Sequence, residues 1–285
     1  MTSLEPLVPW SFSPSRFDPL NLLVVGTGGT GGYVIQYLCR LLYALQQQET
    51  PLPITLTVMD GDVVESGNLL RQHFLPQDVG RPKAAVLAER FGAVYHLPVF
   101  AVPHYLTTGD GLDSFLHSPD HGHFTSSSHP WDVVIGCVDN HATRQLLDQI
   151  FHRLAHLIYL DAGNDGVHLD EDGTPHPASG YGGAVVVGVK HQSQVVLPPV
   201  GQVYPDILTD TASHVPGQAC GQQAVSQPQR MLTNVWAAMT VMSALNTLLT
   251  DHQILWHVAN FNARYGTTRS QALTADYWAQ LASGA

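Results

Sequence analysis

The sequence predicts an α/β protein with a Rossmann-like, doubly wound and mostly parallel sheet, extended by antiparallel C-terminal strands. Three observations lead to this prediction. Short apolar runs alternate with amphipathic segments over residues 21–165, as in parallel βαβ units. A glycine-rich turn, GTGGTGG at 26–32, follows the first apolar run. Two strand-like runs at 183–189 and 194–197, separated by a few polar residues, have the pattern of an antiparallel hairpin.

The predicted elements follow one another in a regular order. Residues 22–25 are apolar and precede glycine, which indicates a buried strand. After the glycines, apolar residues recur at i, i+3, i+4 and i+7, as in a helix with one buried face. Pro51 and Pro53 end that helix. The remaining predicted elements are strands at 54–59, 94–102, 131–138, 157–160 and 256–264, and helices at 83–91, 141–154 and 230–250.

The chain is predicted to form one domain with an elaborated C-terminal third. Residues 1–20 are assigned to an N-terminal extension and residues 21–285 to the domain. Within the domain, a nucleotide-binding part is expected at 21–165 and a second part at 166–270. Two segments lack apolar periodicity and are predicted to be loops. They are the polar insertion at 107–130 and the Pro-, Gln-, Gly- and Ser-rich stretch at 198–229.

Composition argues against several classes of protein. The chain has 285 residues, 44% of them hydrophobic, which is enough for a sizeable core. The formal net charge of −11 disfavours non-specific nucleic-acid binding, which needs a basic surface. No uninterrupted apolar run approaches the about 20 residues of a membrane span, and the first residues do not resemble a signal peptide. Three scattered cysteines argue against a disulfide framework and predict a reducing, cytoplasmic setting.

The glycine turn is the first candidate functional feature. Gly26-x-Gly28-x-x-Gly31, with Gly29 between them, follows a strand and opens a helix, which is the setting of a nucleotide-binding turn. Glycine lets backbone N–H groups and the helix N-terminus approach a phosphate. A tight strand–helix turn without a ligand is the alternative. Asp60 ends the second strand, where such folds bind ribose, but its interval from Gly31 exceeds the about 20 residues usual for NAD.

A polar cluster follows the second predicted strand. It combines carboxylates, amides and cations: Asp60, Asp62, Asn68, Arg71, Gln72 and Lys83. Arginine and lysine are the usual partners of polyphosphate oxygens. Asp139 lies just beyond another strand, at the edge where open α/β sheets bind ligands. An aspartate there suits Mg²⁺, which takes one or two carboxylates plus phosphate oxygens. The alternative for each residue is a solvated loop side chain or, for Asp139, a helix N-cap.

Five short motifs occur in a fixed order along the chain. They are Gly26-Thr27-Gly28-Gly29-Thr30-Gly31, Met59-Asp60-Gly61-Asp62-Val63, Asn68-Leu69-Leu70-Arg71-Gln72, Val79-Gly80-Arg81-Pro82-Lys83 and Cys137-Val138-Asp139-Asn140. The series resembles the ThiF/MoeB family of adenylating proteins, which are related to ubiquitin-activating enzymes. The resemblance covers residues 21–165 and continues more faintly to residue 265. Within the family, the R-Q-x-F motif and the late Cys-Gly are most similar to the ThiF-like proteins of PRTRC plasmid cassettes.

The resemblance implies ATP-dependent adenylation of the C-terminal Gly-Gly carboxylate of a ubiquitin-like carrier protein, with release of pyrophosphate. It also implies a homodimer, with the carrier bound by residues 166–270. The implied nucleotide set is Gly26, Gly28, Gly29 and Gly31 at the phosphates, Asp60 at the ribose, Asp62 and Asn68 at the nucleotide, Arg71, Gln72 and Lys83 at the triphosphate, and Asp139 at Mg²⁺. Charge neutralisation by such groups suits carboxylate attack on a phosphate and needs no protein nucleophile.

Three features depart from the family's pattern or extend it. The chain has no CxxC pair, so a structural zinc bound by thiolates is not expected. Many relatives take an arginine from the N-terminal helix of a dimer partner, whereas Arg16 is the only arginine here before the glycine turn. Cys220 lies in a polar loop and is either a thiol acceptor for the activated carrier or an ordinary free cysteine.

Two other functions stay open from the sequence. An NAD(P)-dependent Rossmann oxidoreductase would use the same glycine turn, but hydride transfer does not require the combination of Arg71, Lys83 and Asp139. A catalytically silent partner or scaffold of the same fold would not need to keep these three residues, although an N-terminal segment with Arg16 as its single arginine is compatible with it.

Overall fold

The computed structural model describes residues 5–12, 20–49, 51, 53–108, 112, 131–213 and 229–283. The strands in these ranges are β1 (Trp10–Ser11), β2 (Leu20–Val25), β3 (Ile54–Met59), β4 (Val99–Val102), β5 (Trp131–Gly136), β6 (Leu157–Asn164), β7 (Gly182–His191), β8 (Gln194–Leu197), β9 (Gln253–Ile254), β10 (Trp256–Asn262) and β11 (Thr267–Ala272). The helices are α1 (Gly29–Gln46), α2 (Lys83–Tyr95), α3 (His141–Arg153), α4 (Val200–Val203), α5 (Asp206–Thr209), α6 (Met231–Thr250) and α7 (Ala275–Ser283). Two 3₁₀ turns, Ser66–Leu70 and Pro76–Asp78, lie between β3 and α2.

One large sheet organises the molecule, with the strand order β11-β10-β7-β6-β5-β2-β3-β4. Strands β4, β3, β2, β5 and β6 run parallel to one another. Strands β7, β8, β10 and β11 add antiparallel pairs. The predicted α/β class, doubly wound sheet and antiparallel extension are thereby confirmed. The connections change direction between β2 and β5, and the crevice at such a point is where doubly wound sheets bind ligands.

Both faces of the parallel strands are buried under helices. In β2, Leu22 and Val24 belong to a core shared with α1, α2 and α6. The alternate residues Leu23 and Val25 belong to a second core, shared with α3, α4 and α5. Successive side chains of a strand point to opposite faces, so a strand covered on both faces is apolar at every position. This explains why the short runs were recognisable in the sequence.

Several predicted boundaries were wrong. Helix α2 continues to Tyr95 and ends at His96, whose φ is 53°, so β4 starts at Val99 and not at residue 94. Beyond β10, strand β11 and helix α7 were not predicted. The β11 residues are mostly exposed and polar, so no apolar alternation marks the strand. The one-turn helices α4 and α5 lie in the stretch predicted to be a loop.

The described N-terminal residues pack against the C-terminal part of the chain. Strand β1 pairs with β9. The backbone N–H of Val8 donates to the Leu273 carbonyl at 2.7 Å, and Trp278 Nε1 donates to the Val8 carbonyl at 2.8 Å. Residues 5–12, assigned to an extension, are therefore held against the domain. Arg16 and Cys220 lie outside the described residues.

Helix α6 is long and apolar enough to cross a membrane, judged by length and composition only. Within its most apolar window, 61% of the residues are buried inside the protein. The buried side chains include Ala237, Val241 and Leu245, which pack in the same core as α1. Threonine, asparagine and serine interrupt the run, which is why the sequence alone does not mark this helix as a span.

Candidate active site

The glycine turn lies between the carboxyl ends of β2 and β5. Gly26 has a φ of 91°, and a Cβ there would lie 2.6 Å from the Cys137 carbonyl oxygen. A Cβ at Gly31 would overlap the Gly26 carbonyl oxygen. These two positions need glycine for the turn itself. Around Gly28, by contrast, the nearest described atom to a Cβ is Gln72 Nε2 at 3.7 Å, so this part of the turn is open to a ligand.

Asp60 holds the glycine turn in place. Its Oδ2 accepts hydrogen bonds from the backbone N–H and the hydroxyl of Thr27, both at 2.7 Å. Its Oδ1 accepts from the backbone N–H of Asp62 at 2.9 Å. Burial, reinforced by the negative charge of Asp62, raises the pKa of Asp60. A carboxylate has about four acceptor positions. Three of them are used by these hydrogen bonds, so Asp60 has little capacity left to accept a hydrogen bond from a ribose, as predicted for it.

Lys83 and Asp62 form an ion pair at the start of α2. Lys83 Nζ lies 2.7 Å from Asp62 Oδ2, and the side chains are 7% and 46% exposed, respectively. The Tyr105 hydroxyl donates to Asp62 Oδ1, and the Tyr105 ring packs against Gly61, where a Cβ would lie 2.5 Å from ring atoms. Desolvation and the contact with Asp62 raise the pKa of Tyr105. A triphosphate at Lys83 would therefore compete with Asp62 for the ammonium group.

The connection between β3 and α2 carries three further residues predicted to bind the nucleotide. Asn68 Oδ1 accepts from the Glu65 backbone N–H at 2.8 Å, so the amide oxygen stabilises the first 3₁₀ turn. Arg71 is half-buried, and no hydrogen bond or ion pair ties its guanidinium to another described residue. Gln72 Oε1 is buried without a hydrogen-bond partner among the described groups. The Gln72 amide thus has unused capacity near the open Gly28, and Arg71 is its neighbour in sequence.

Asp139 lies across the crevice, in the turn between β5 and α3. The ends of β2 and β5, on the two sides of this crevice, are joined by a hydrogen bond. The Cys137 backbone N–H donates to the Val25 carbonyl at 2.8 Å. Asn140, and not Asp139, caps α3, because its Oδ1 accepts from the Thr143 backbone N–H at 2.8 Å. Asp139 is exposed, and its carboxylate is not used as a cap. An exposed carboxylate beside an open glycine turn fits the preference of Mg²⁺ for carboxylate and phosphate oxygens.

A buried cluster behind Asp139 was not predicted from the sequence. Arg144 Nη2 donates to the Val138 carbonyl at 2.8 Å, and Arg144 Nε pairs with Asp161 Oδ1 at 3.0 Å. Beside the cluster is a cavity of about 500 Å³ whose lining includes Asn164, Asp165 and Tyr204. The sequence does not distinguish an arginine that will have buried partners from one on the surface. The available signal for Arg144 was its position four residues after Asn140, at the start of α3.

A second buried group joins the first turn of α1 to α6. Asn164 Nδ2 donates to Thr30 Oγ1 at 3.0 Å and to Asn234 Oδ1 at 2.8 Å. The Thr30 hydroxyl also donates to Asn234 Oδ1 at 3.3 Å. A Cβ at Gly29 would overlap the Asn234 amide, so glycine at this position makes room for α6. The phosphate contact predicted for Gly29 therefore concerns its backbone N–H alone.

The structure brings residues 26–31, Asp60, Asp62, Lys83 and Asp139 to one edge of the sheet, at the carboxyl ends of β2, β3 and β5, with Gln72 beside Gly28. Asn68 and Arg71 lie in the connection between β3 and α2. Among the described residues, no group of three or more His, Cys, Asp or Glu side chains is arranged to hold a metal ion. The two other cysteines are poor thiolates, because burial raises the pKa of Cys39 to about 12 and also raises the pKa of Cys137. The role predicted for Cys220 stays a prediction.

The family follows from a comparison with known proteins. The model of the ThiF family matches residues 16–277. The chain belongs to the ThiF family. This ThiF-family chain is similar to the sulfur carrier protein adenylyltransferase of Thermus thermophilus, with 32% identity over 135 residues, or 47% of this chain and 41% of that protein. It is also similar to ubiquitin-like modifier-activating enzyme 5 of Dictyostelium discoideum, with 28% identity over 131 residues, or 46% of this chain and 32% of that protein.

Solved structures agree with the fold. The MccB protein of E. coli, solved with ATP, has a TM-score of 0.56 and 14% identity, and the match covers 91% of the ThiF-family chain and 65% of MccB. PaaA has a TM-score of 0.54 and 15% identity, with 90% and 65% covered. The matches to the two curated relatives span less than half the length of those proteins.

Proposed function

We propose that this protein binds ATP and Mg²⁺ in the crevice between β2 and β5 and adenylates the C-terminal carboxylate of a small protein. The substrate we propose is a ubiquitin-like carrier that ends in Gly-Gly, and the second product is pyrophosphate. One observation carries the proposal: the glycine turn after β2 is open at Gly28, and the exposed Asp139 follows the neighbouring strand β5 at the switch point of the sheet. In the connection from β3 to α2, the Arg71 guanidinium is not engaged by any other described residue. Family membership and the adenylating relatives support it.

In this mechanism, a carboxylate oxygen of the carrier forms a bond to the α-phosphorus of ATP, and the bond to the β-phosphate oxygen breaks. The protein's part is to align two anions and offset their repulsion. The backbone N–H groups near Gly28 and the first turn of α1 would bind phosphate oxygens. Arg71 and Lys83 would neutralise the triphosphate, and Lys83 would exchange Asp62 for phosphate. Asp139 would hold Mg²⁺, which supplies further neutralisation of the phosphates.

The carrier's tail needs a path to this crevice. The cavity beside β6 and β7 is lined in part by Gly163. A Cβ at Gly163 would lie no closer than 3.5 Å to another described atom, so an extended backbone could approach closely there. We propose that the tail passes here, guided by the β7–β8 hairpin and the segment that follows it. A homodimer, a cytoplasmic location, the PRTRC likeness and thiol acceptance by Cys220 belong to the same proposal and rest on the sequence resemblance and cysteine usage.

Pyrophosphate exchange tests the proposal directly. Purified protein, ATP, Mg²⁺ and labelled pyrophosphate are mixed with candidate carriers encoded beside its gene. We expect labelled ATP to form with one carrier and not with the same carrier lacking its last two residues. If no carrier supports exchange and the protein does not bind ATP, the proposed function is refuted.

Substitution of Asp139 tests the metal role. We expect Asp139→Ala to abolish exchange while circular dichroism and melting stay unchanged, because its exposed carboxylate is not the helix cap. Asp251→Ala, at an exposed aspartate after α6, is the matched control and should retain the full rate. A normal exchange rate in Asp139→Ala would refute the metal role.

A catalytically silent partner of the same fold is the second candidate. The observation that favours it is the Lys83–Asp62 ion pair. In this pair the Lys83 ammonium group, which the triphosphate would need, is already bound to a carboxylate. In this case the protein would bind ATP but support exchange only after a second subunit is added.

A further inference from the structure

The turn that carries Asp139 is held by its neighbours on both sides. Asn140 caps α3 through Thr143. On the other side, the Val138 carbonyl accepts a 2.8 Å hydrogen bond from Arg144 Nη2. Arg144 is one turn into α3, so its side chain folds back to the residue that precedes Asp139. The position of the Asp139 backbone therefore depends on a side chain five residues later.

Arg144 is itself anchored to the next strand. Its Nε lies 3.0 Å from Asp161 Oδ1 and 3.3 Å from Oδ2, and its Nη2 lies 3.3 Å from the Ala162 carbonyl. The side chains of Arg144 and Asp161 are 8% and 2% exposed, respectively. The Tyr159 hydroxyl donates to Asp161 Oδ2 at 2.7 Å. The guanidinium therefore joins the end of β5 to the end of β6.

The electrostatics keep this anchor charged. Burial is the largest single effect and disfavours the guanidinium cation. The charge of Asp161, its hydrogen bond to Arg144 and smaller contributions from Tyr159 and Asp139 together outweigh burial, so the pKa of Arg144 is raised. Gly136 leaves space for the pair, since a Cβ there would lie 3.0 Å from Asp161 Oδ2. A buried ion pair of this kind adds little net stability but makes loss of one partner costly.

We infer that Arg144 is a positioning residue that fixes the Asp139 carboxylate for the metal–nucleotide complex through Val138 and Asp161. The inference rests on the proposed function, because it assumes that Asp139 binds the metal. Arg144 need not touch the metal or the nucleotide. Partners that orient a metal ligand typically change metal affinity about 10–100-fold when they are replaced. A lysine can pair with Asp161 or with the Val138 carbonyl, but its single ammonium cannot reproduce the planar fork of arginine.

The test measures metal binding apart from turnover. Mn²⁺ is titrated into the full chain with a non-hydrolysable ATP analogue and followed by electron paramagnetic resonance. We expect Arg144→Lys to weaken Mn²⁺ binding about tenfold, while the affinity for the analogue without metal changes less than twofold. Asp161→Asn should act in the same direction, which keeps the inference testable if Arg144→Lys does not fold. Asp132→Asn, at the opposite end of β5, is the matched control and should bind Mn²⁺ like the wild type.

The double variant separates this inference from the proposed function. If Arg144 acts through Asp139, Arg144→Lys should cause no further loss of Mn²⁺ binding in the Asp139→Ala background. Wild-type Mn²⁺ affinity in both Arg144→Lys and Asp161→Asn would overturn the inference, and so would additive losses. If Asp139→Ala alone binds Mn²⁺ normally, the metal role of Asp139 fails first and the inference fails with it.

Discussion

At the scale of single residues, the glycines of the turn serve two different purposes. Gly26 and Gly31 lack room for a side chain because of the protein's own backbone. Gly28 has space for a methyl group, since its nearest described neighbour would be 3.7 Å away. Packing therefore does not account for glycine here, and we attribute it to the proposed ligand. This difference favours the nucleotide-binding interpretation over that of a merely tight turn.

Substitution of these glycines should separate stability from binding. We expect Gly28→Ala to melt within a few degrees of the wild type but to bind ATP at least about tenfold more weakly, because the methyl group would occupy phosphate space. Gly31→Ala should fail to fold or melt far lower, since its Cβ would overlap the Gly26 carbonyl. Gly67→Ala, where a Cβ would meet no described atom within 4 Å, is the control. Thermal melts and ATP titration measure both effects. Unchanged ATP affinity in Gly28→Ala would contradict the ligand explanation.

A buried carboxyl should make stability depend on pH. Burial raises the pKa of Asp132 to about 7, although Asn21 donates a hydrogen bond to it. The folded protein then keeps a proton up to about pH 7 that the unfolded chain loses near pH 4, at the ordinary aspartate pKa of about 3.9. Since the folded state binds more protons in this interval, the free energy of unfolding falls as the pH rises.

The expected size of this effect is on the order of 2 kcal/mol between pH 5 and pH 8. Asp132→Asn, which has no proton to lose, should show a correspondingly smaller decline. Urea unfolding of both proteins at the two pH values measures the difference. Parallel pH profiles would show that Asp132 titrates normally in the folded protein.

At the scale of elements, helix α6 connects the C-terminal part to the proposed nucleotide site. Its Asn234 is 1% exposed and accepts hydrogen bonds from Asn164 and Thr30, which lie at the end of β6 and in the first turn of α1. The helix N-terminus that faces the proposed phosphates is thus held from behind by a residue distant in sequence. Any change in α6 packing is expected to reach the glycine turn through this contact.

Replacing Asn234 tests this connection. Asn234→Ala leaves buried donors without their acceptor, which costs about 1–3 kcal/mol of unfolding free energy. We expect ATP binding to weaken as well, because α1 loses a contact at its first turn. Asn246→Ala, on the exposed side of the same helix, should stay within about 0.5 kcal/mol of the wild type. Urea unfolding and ATP titration of the two variants decide the matter, and equal stabilities would contradict the proposed connection.

The elements differ in how well the sequence predicts them, for physical reasons. The buried strands β2 and β5 contain uninterrupted apolar runs, at 22–25 and 133–135. Burial on both faces therefore produces a pattern that is visible in the sequence. Strand β11 is exposed and polar, and its pairing with β10 leaves no such pattern. The residues of the candidate site also fall into predictable and unpredictable groups. Asp60, Lys83 and Asp139 are predictable because they follow strands or open helices at one sheet edge. Arg144, Tyr105 and Asn234 depend on contacts made only after folding.

At the scale of the whole molecule, one sheet carries the proposed nucleotide crevice in its parallel half and the proposed carrier path at the border of its antiparallel half. The two halves share β6 and β7, which pair along their length. Binding in the crevice should therefore stabilise the entire domain.

Ligand-dependent melting measures this and separates the competing functions. A ligand present at 100 times its dissociation constant stabilises the folded state by about 2.7 kcal/mol, which corresponds to a rise of about 5 °C for a large domain. We expect saturating ATP with Mg²⁺ to raise the melting temperature by about this amount, and NAD⁺ or NADP⁺ at the same concentration to leave it unchanged. A rise with NAD⁺ alone would favour the oxidoreductase instead.

The late position of α6 in the chain also has a consequence for synthesis. Strands β2 to β6 and the helices between them leave the ribosome first, whereas α6, which packs in their core, is translated much later. Between the end of β6 at Asn164 and the end of α6 at Thr250, translation at about 5–20 residues per second leaves the apolar face that awaits α6 uncovered for roughly 4 to 17 seconds. During that interval the sheet of the nascent chain has one apolar face exposed to solvent. We expect it to be shielded by chaperones until α6 emerges and Asn234 reaches the glycine turn.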